Sequence, residues 1–256
     1  MIVSLRETTS TNDYAKKLAG CGVEQFTTVT AHNQTAGKGR LGRSFDSPED
    51  EGIYMSIILY PQMKPELISM VTVVAAMAVK KVLDRVFKEV LDEDKLPNLQ
   101  IKWPNDIVAH GKKLCGILTE ASMAEGEVKH IVVGIGINVD NESFSKELED
   151  KAVSLRMLCG ESLDKKAIIN MVVDKFKKYY SSFEKNENLK FMLDEYNQAL
   201  VHNEKEVQII NGKENYCGVC HGMDETGALL VTKDGDDKVT KVISGEISVR
   251  GVYGYV

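Results

Sequence analysis

Ile131-Val132-Val133-Gly134-Ile135-Gly136-Ile137-Asn138-Val139 is the stretch on which the reading of the fold turns. Almost every residue is apolar and most are β-branched, which suits a pleated strand and not a helix. An apolar run without alternation is buried on both faces, so the strand belongs to the inside of a sheet. Glycines inside such a strand mark close approach by a ligand or another backbone. A dinucleotide-type G-x-G reading of Gly134 and Gly136 fails, because no helical pattern follows. Asn138 then places one amide in an otherwise apolar run.

Outward from this strand the chain alternates strand and helix signals. Phe26–Ala31, Ile53–Leu59, Leu99–Trp103 and Leu114–Thr119 read as strands, the last two around a turn at His110-Gly111. Leu67–Phe87 has helical spacing and is almost free of polar groups up to Val79, which predicts a buried helix. Ser10-Thr11-Asn12-Asp13 supplies cap-type residues before a short helix at Tyr14–Ala19, which Gly20 would end. Helical patterns fill Leu163–Phe183 and Leu189–Leu200. After His202-Asn203-Glu204 the texture changes to alternating segments: Glu206–Ile210, Asn215–His221, Ala228–Thr232, Lys238–Ile243 and Ile247–Arg250. They predict a small β-barrel or sandwich of about fifty residues, marginal alone and leaning on the main domain. The expected division is 1–203 for an α/β domain and 204–256 for the small one.

The 256 residues are 43% hydrophobic and 27% charged, the composition of an ordinary soluble globular protein. A net charge of -6 argues against generic nucleic-acid binding. The first residues carry no basic-then-apolar signal, and Met70–Val79 is about half a membrane span and runs into Lys80-Lys81. A cytoplasmic protein without membrane partners is expected. Five cysteines, an odd number, suggest reduced thiols. Cys217-Gly218-Val219-Cys220-His221 matches the spelling of c-type haem attachment, but strand alternation sends positions three apart to opposite faces. These cysteines are read as core or edge residues.

Three segments carry chemistry. In Gln34-Thr35-Ala36-Gly37-Lys38-Gly39-Arg40-Leu41-Gly42-Arg43, three glycines and three cations share one loop, which can fold backbone N–H groups and cations around an anion. It is not a Walker A loop, since no Ser or Thr follows a Gly-Lys pair. Lys102-Trp103-Pro104-Asn105-Asp106 ends a strand in a rigid corner, where proline fixes φ and removes a donor. Lys113 opens the next strand and can face the Asp106 carboxylate across a short hairpin, placed to meet a phosphate or a carboxylate. The third segment is the glycine strand itself.

Together and in this order, these segments resemble the biotin–protein ligase family over nearly the whole chain. The matching pieces are Ser10-Thr11-Asn12, Gln34–Arg43, Lys102–Asp106, Lys113-Leu114-x-Gly116-Ile117-Leu118-x-Glu120 and Gly134-x-Gly136-Ile137-Asn138. Gly227-Ala228-Leu229-Leu230 and Gly245-Glu246-Ile247-Ser248 match the family's C-terminal domain. The resemblance implies an α/β (α+β) catalytic domain of class II aminoacyl-tRNA synthetase type, with a mixed sheet, followed by an SH3-like barrel. It implies an ATP-dependent enzyme that forms biotinyl-5'-AMP with Mg²⁺ and passes biotin to a lysine of a biotin carboxyl carrier domain. Such an enzyme is a monomer or a homodimer.

Carried onto this chain, the resemblance assigns Ser10, Thr11, Asn12, Gln34 and Gly116 to biotin. Gly37, Lys38, Gly39 and Arg40 form the loop that closes over biotin and the adenylate. Arg40, Arg43 and Lys102 lie near the phosphates, Lys113 contacts the biotin carboxylate and α-phosphate, and Asn105 and Asp106 line the reaction centre. Phe45 and Asn138 meet the adenosine. Arg40, Asp106 and Lys113 are the expected catalytic groups; no metal ligand is assigned. Lys38 stands where many members have Arg, and Phe45 where many have Trp. With the first motif already at Ser10, the winged-helix repressor domain of many bacterial relatives is not expected, nor is operator binding. Lipoate and octanoate ligases of the same fold lack the Gly-Lys-Gly-Arg loop.

Overall fold

A computed structural model describes residues 1–210, 215–244 and 247–251. Its main sheet has seven strands in the order β1-β2-β3-β7-β6-β5-β4. These are β1 (Ile2–Thr8), β2 (Thr28–Gln34), β3 (Gly52–Leu59), β4 (Leu99–Lys102), β5 (Asp106–Ala109), β6 (Lys112–Ala124) and β7 (Glu127–Asn138). Only β1 and β2 pair in parallel, so the sheet is mixed, as expected. The glycine strand is β7, in the middle of the sheet between β3 and β6.

Strand alternation divides the sheet into two faces. Ile131, Val133, Ile135 and Ile137 of β7 join Ile53, Met55, Ile57 and Leu59 of β3 in the main core. Helix α2 (Ile68–Val90) covers that face, and all its residues from Met70 to Val79 are buried. Beyond Val79 only one stripe is buried, Val82, Leu83, Val86 and Phe87, while Lys80–Asp84 and Arg85–Glu89 pair along the helix surface. Helix α4 (Lys165–Asn186) packs its stripe of Ile168, Val172, Phe176, Tyr180 and Phe183 into the same core. On the opposite face, α1 (Thr11–Gly20) buries Ala15 and Ala19 against Val29, Ile58 and Val132. Among the described residues the other α-helices are α3 (Leu155–Cys159) and α5 (Leu193–Ala199).

The strand reading left out β1 and β5. β1 is a half-exposed edge with Arg6 and Glu7 in it, and β5 has only four residues. The predicted helix at Leu189–Leu200 is broken into a 3-10 turn, Lys190–Met192, and α5.

All five alternating segments of the C-terminal part are strands: β8 (Lys205–Ile210), β9 (Tyr216–Met223), β10 (Leu229–Lys233), β11 (Val239–Val242) and β12 (Ser248–Gly251). Among the described residues they form one sheet in the order β11-β10-β9-β8-β12, with β11 and β12 as its edges and no closed barrel. Gly245 and Glu246 of the C-terminal motif, and residues 252–256, lie outside the described residues. Cys217 is exposed and Cys220 buried, on opposite faces as the alternation requires.

The small sheet shares the core of the large one: Val207, Ile209, Leu229 and Val231 belong to the cluster that contains α2. The turn before β10 reaches the main core as well, with Gly227 against Leu189, Met70 and Val73. Its carbonyl accepts a 3.0 Å hydrogen bond from the buried Trp103 indole N–H. Trp103→Phe keeps an aromatic ring but leaves that carbonyl unpaired, at a cost of about 1–3 kcal/mol. A urea midpoint no lower than wild type would show that this strut does not hold the two sheets together.

Candidate functional site

The face of β7 opposite α2 carries Gly134 and Gly136, and their missing side chains hollow out the sheet. The expected close approach is present, but protein side chains make it. A Cβ on Gly134 would lie 2.2 Å from Asn12 Oδ1, and one on Gly136 would lie 2.6 Å from the Phe45 ring. Gly116 of β6 plays the same part for Lys113, whose Nζ would be 2.7 Å from an added Cβ. Three glycines on neighbouring strands thus seat three of the expected site residues.

Between these side chains lies a cavity of about 50 Å³ lined by Ser10, Thr11, Asn12, Gln34, Lys38, Gly39, Arg40, Phe45, Asn105, Lys113 and Gly116. The start of α1 forms its polar wall. Gln34 Oε1 accepts from the Thr11 backbone N–H at 2.8 Å and from its hydroxyl at 3.1 Å, while Gln34 Nε2 donates to Ser47 at 2.9 Å. Asn12 Nδ2 donates to Glu120 Oε2 at 2.7 Å, and its Oδ1 accepts from Ser56 Oγ at 2.6 Å. Ser10 is the N-cap by position, with extended backbone and no capping hydrogen bond from its side chain. Ser47, Ser56 and Glu120 were not among the expected site residues. Ser56 carries a signal, as the one serine between apolar residues in β3.

The loop forms the roof. It folds back on itself through a Lys38–Ser44 bridge, with Gly39 N–H donating to Arg43 O at 2.7 Å and Phe45 N–H to Gly37 O at 2.9 Å. Gly37 is obligatory, since a Cβ would stand 2.3 Å from Phe45 O. At the near edge Lys38 Nζ meets Asp13 Oδ1 at 2.6 Å. At the far edge Arg40 donates to Asn105 Oδ1 at 3.1 Å and to Ile247 O at 3.3 Å, so the loop also touches the small sheet.

A second cavity, about 100 Å³, opens behind Arg40. It is lined by Arg43, Lys102, Asn105, Asp106 and Lys113, and by Ile247–Val249 of the small sheet. Lys113 Nζ and Asp106 Oδ1 are 2.8 Å apart, the pair expected across the hairpin, and Asn105 Nδ2 donates to the same carboxylate at 3.0 Å. Burial pulls the Lys102 ammonium down to about 8, against the pull of Asp106, with Lys113, Arg250 and Arg43 lowering it further. Arg40 is also lowered, chiefly by burial. Several cations around one carboxylate leave an excess of positive charge in a partly desolvated pocket, which suits a polyanion.

Asn138 lines neither of these cavities. Its Nδ2 donates to Val153 O at 3.1 Å and to Lys113 O at 3.3 Å, tying the loop before α3 to β6. It borders an open cleft of about 520 Å³ that Gly37, Arg43, Phe45 and Lys113 also line. The Phe45 ring thus stands between the inner cavity and this cleft, with Lys113 Nζ 5.8 Å from its centroid. Among the described residues no three metal-ligating side chains cluster, and no helix is long and apolar enough to cross a membrane.

Residues 4–138 match the biotin/lipoate A/B protein ligase family, and the chain belongs to it. Within the family its likeness runs to the biotin–protein ligases, in sequence and in fold. It is 34% identical over 245 residues to the bifunctional ligase/repressor BirA of Bacillus spizizenii, covering 94% of this chain and 71% of that protein. A biotin–[acetyl-CoA-carboxylase] ligase of Paracoccus denitrificans is 28% identical over 239 residues, covering 89% and 92%. The biotin protein ligase of Aquifex aeolicus, solved with biotin and ATP, superposes with a TM-score of 0.82 at 27% identity, covering 98% of both chains.

The depressed Lys102 has a consequence for pH. In the unfolded chain this lysine keeps its proton to about 10.5, in the fold only to about 8. Between those values the unfolded state binds more protons, so Lys102 makes stability rise with pH. Lys102→Met should flatten that rise. Urea midpoints at about pH 7.5 and about pH 9.5 measure it; an unchanged slope would mean that Lys102 is not desolvated.

Proposed function

We propose that the chain is an ATP-dependent biotin–protein ligase: it joins biotin to AMP, then transfers it to a lysine of a biotin carboxyl carrier domain. The observation that carries this reading is the junction of the two cavities at Arg40, Asn105 and Lys113. One sets a hydrogen-bonding wall against apolar residues, among them Met55, Ile117 and Ile135; the other is cationic and borders the small sheet. Biotin takes the first, with its ureido end among Ser10, Thr11, Asn12 and Gln34. The triphosphate takes the second, with Arg40, Arg43 and Lys102 around it. The adenosine occupies the cleft beside Phe45 and Asn138.

A carboxylate attacking a phosphate meets charge repulsion, and fixed cations lower that barrier. Lys113 stands where both anions meet, and Asp106 with Asn105 holds it there. Attack of a biotin carboxylate oxygen on the α-phosphorus breaks the α–β bridge, and pyrophosphate leaves among Arg40, Arg43 and Lys102. Mg²⁺ fits the donor set only as an ion carried largely by ATP phosphates, with Asp106 and Asn105 as the oxygen donors at hand. There it would neutralise phosphate charge. In the second half-reaction the lysine amine attacks the acyl carbon and AMP leaves. In this reading Asp106 orients or deprotonates that amine.

In the same proposal the main domain (1–203) is kin to class II aminoacyl-tRNA synthetases, the small domain (204–256) is SH3-like in character, and the enzyme acts in the cytoplasm.

Pyrophosphate release from ATP and Mg²⁺ tests the reading. Release should require biotin, and Lys113→Ala should slow it by about 10²–10³-fold, as loss of one charge-stabilising donor does elsewhere. Release with lipoate instead would move the chain to the other branch of the family. Asp106→Asn should slow transfer to a carrier domain more than adenylate formation; equal slowing would remove Asp106 from the second step.

A further inference from the structure

We propose that Asp13 is a positioning residue that latches the 37–43 loop over the inner cavity through Lys38 and so sets how long biotin stays bound. This rests on the reading that the inner cavity holds biotin.

The loop contains Gly37, Gly39 and Gly42, so its backbone supplies little stiffness of its own. Its far edge is anchored by Arg40 to Asn105 and Ile247. Its near edge is held by the 2.6 Å contact of Lys38 with Asp13, and the cavity lies between the two anchors. Asp13 sits on the first turn of α1, directly after Thr11 and Asn12 of the cavity wall. The ion pair therefore joins the loop to the helix that forms the cavity wall.

The pair is the end of a chain of alternating charge. Lys16 Nζ lies 4.0 Å from the same Asp13 oxygen and 2.6 Å from Glu120 Oε1. The other oxygen of Glu120 accepts from Asn12 Nδ2 at 2.7 Å. Loop position and the orientation of a wall residue are thus held by one network. Lys38 carries a single ammonium, where Arg would offer a planar fork able to hold two partners at once. A network that merely kept Lys38 away from ligand would behave in the opposite way: removing Asp13 would then strengthen binding.

Biotin release measured by stopped-flow in the purified protein separates the two. Asp13→Asn should release biotin about two- to fivefold faster, the effect of losing a half-exposed ion pair. At about 1 M salt, where the screening length falls to about 3 Å, wild type should release at the rate of the variant. Asp13→Glu, which keeps a carboxylate facing Lys38 and Lys16, should release biotin at close to the wild-type rate. Unchanged or slower release in Asp13→Asn overturns the latch, as does a difference that persists at high salt. Equilibrium biotin binding by Gln34→Ala, a wall variant, tells the two failures apart. Weakened binding there with no Asp13 effect removes the latch alone; unchanged binding removes the cavity assignment and the latch with it.

Discussion

The site depends on one asymmetry of the central strand. β7 presents Ile131, Val133, Ile135 and Ile137 to α2, and on its other face Gly134 and Gly136 present only backbone. The first face anchors the strand in the main core, where a shift would open a cavity beneath a buried helix. The second gives that rigid strand a surface low enough to receive Asn12 and Phe45. A residue larger than glycine at either position would push those side chains out. The position of the functional groups is thus referred to a central strand held in the main core, which is how a site keeps sub-ångström order.

A second constraint is electrostatic. Arg40, Lys102 and Lys113 are drawn into one partly desolvated region around Asp106, and the depressed Lys102 and Arg40 register the cost. A bound polyanion would relieve it, so stability given up in the fold returns as affinity for the ligand. The small sheet belongs to this arrangement. The Ile247 carbonyl just before β12 meets Arg40, and the Gly227 carbonyl of the turn before β10 meets the indole of Trp103, two residues before Asn105.

Parts of the site were legible because short-range geometry determines them. The Asp106–Lys113 pair follows from a hairpin whose arms are a few residues apart, and Cys217 and Cys220 part company by strand alternation alone. β1 and β5 were missed, since charges interrupt the edge strand, and β5 opens on Asp106 and is buried throughout, with no alternation to mark it. The small domain's strands were all found, but their closure into a barrel was expected and the described strands form an open sheet. Alternation locates a strand; it does not say which edges meet.

The sequence by itself determined the mixed α/β class, the buried helix, the β-rich C-terminal part and the cationic loop, because hydrophobic period and glycine spacing are local properties of the chain. It also marked Gly134 and Gly136 as places of close approach. Only the tertiary structure decided what approaches: Asn12 and Phe45, 122 and 91 residues away in sequence. It alone showed Asp13 and Glu120 joining the loop to the cavity wall, and Ile247 meeting Arg40. Contacts between distant segments depend on how layers stack and which faces oppose, and no local period encodes that.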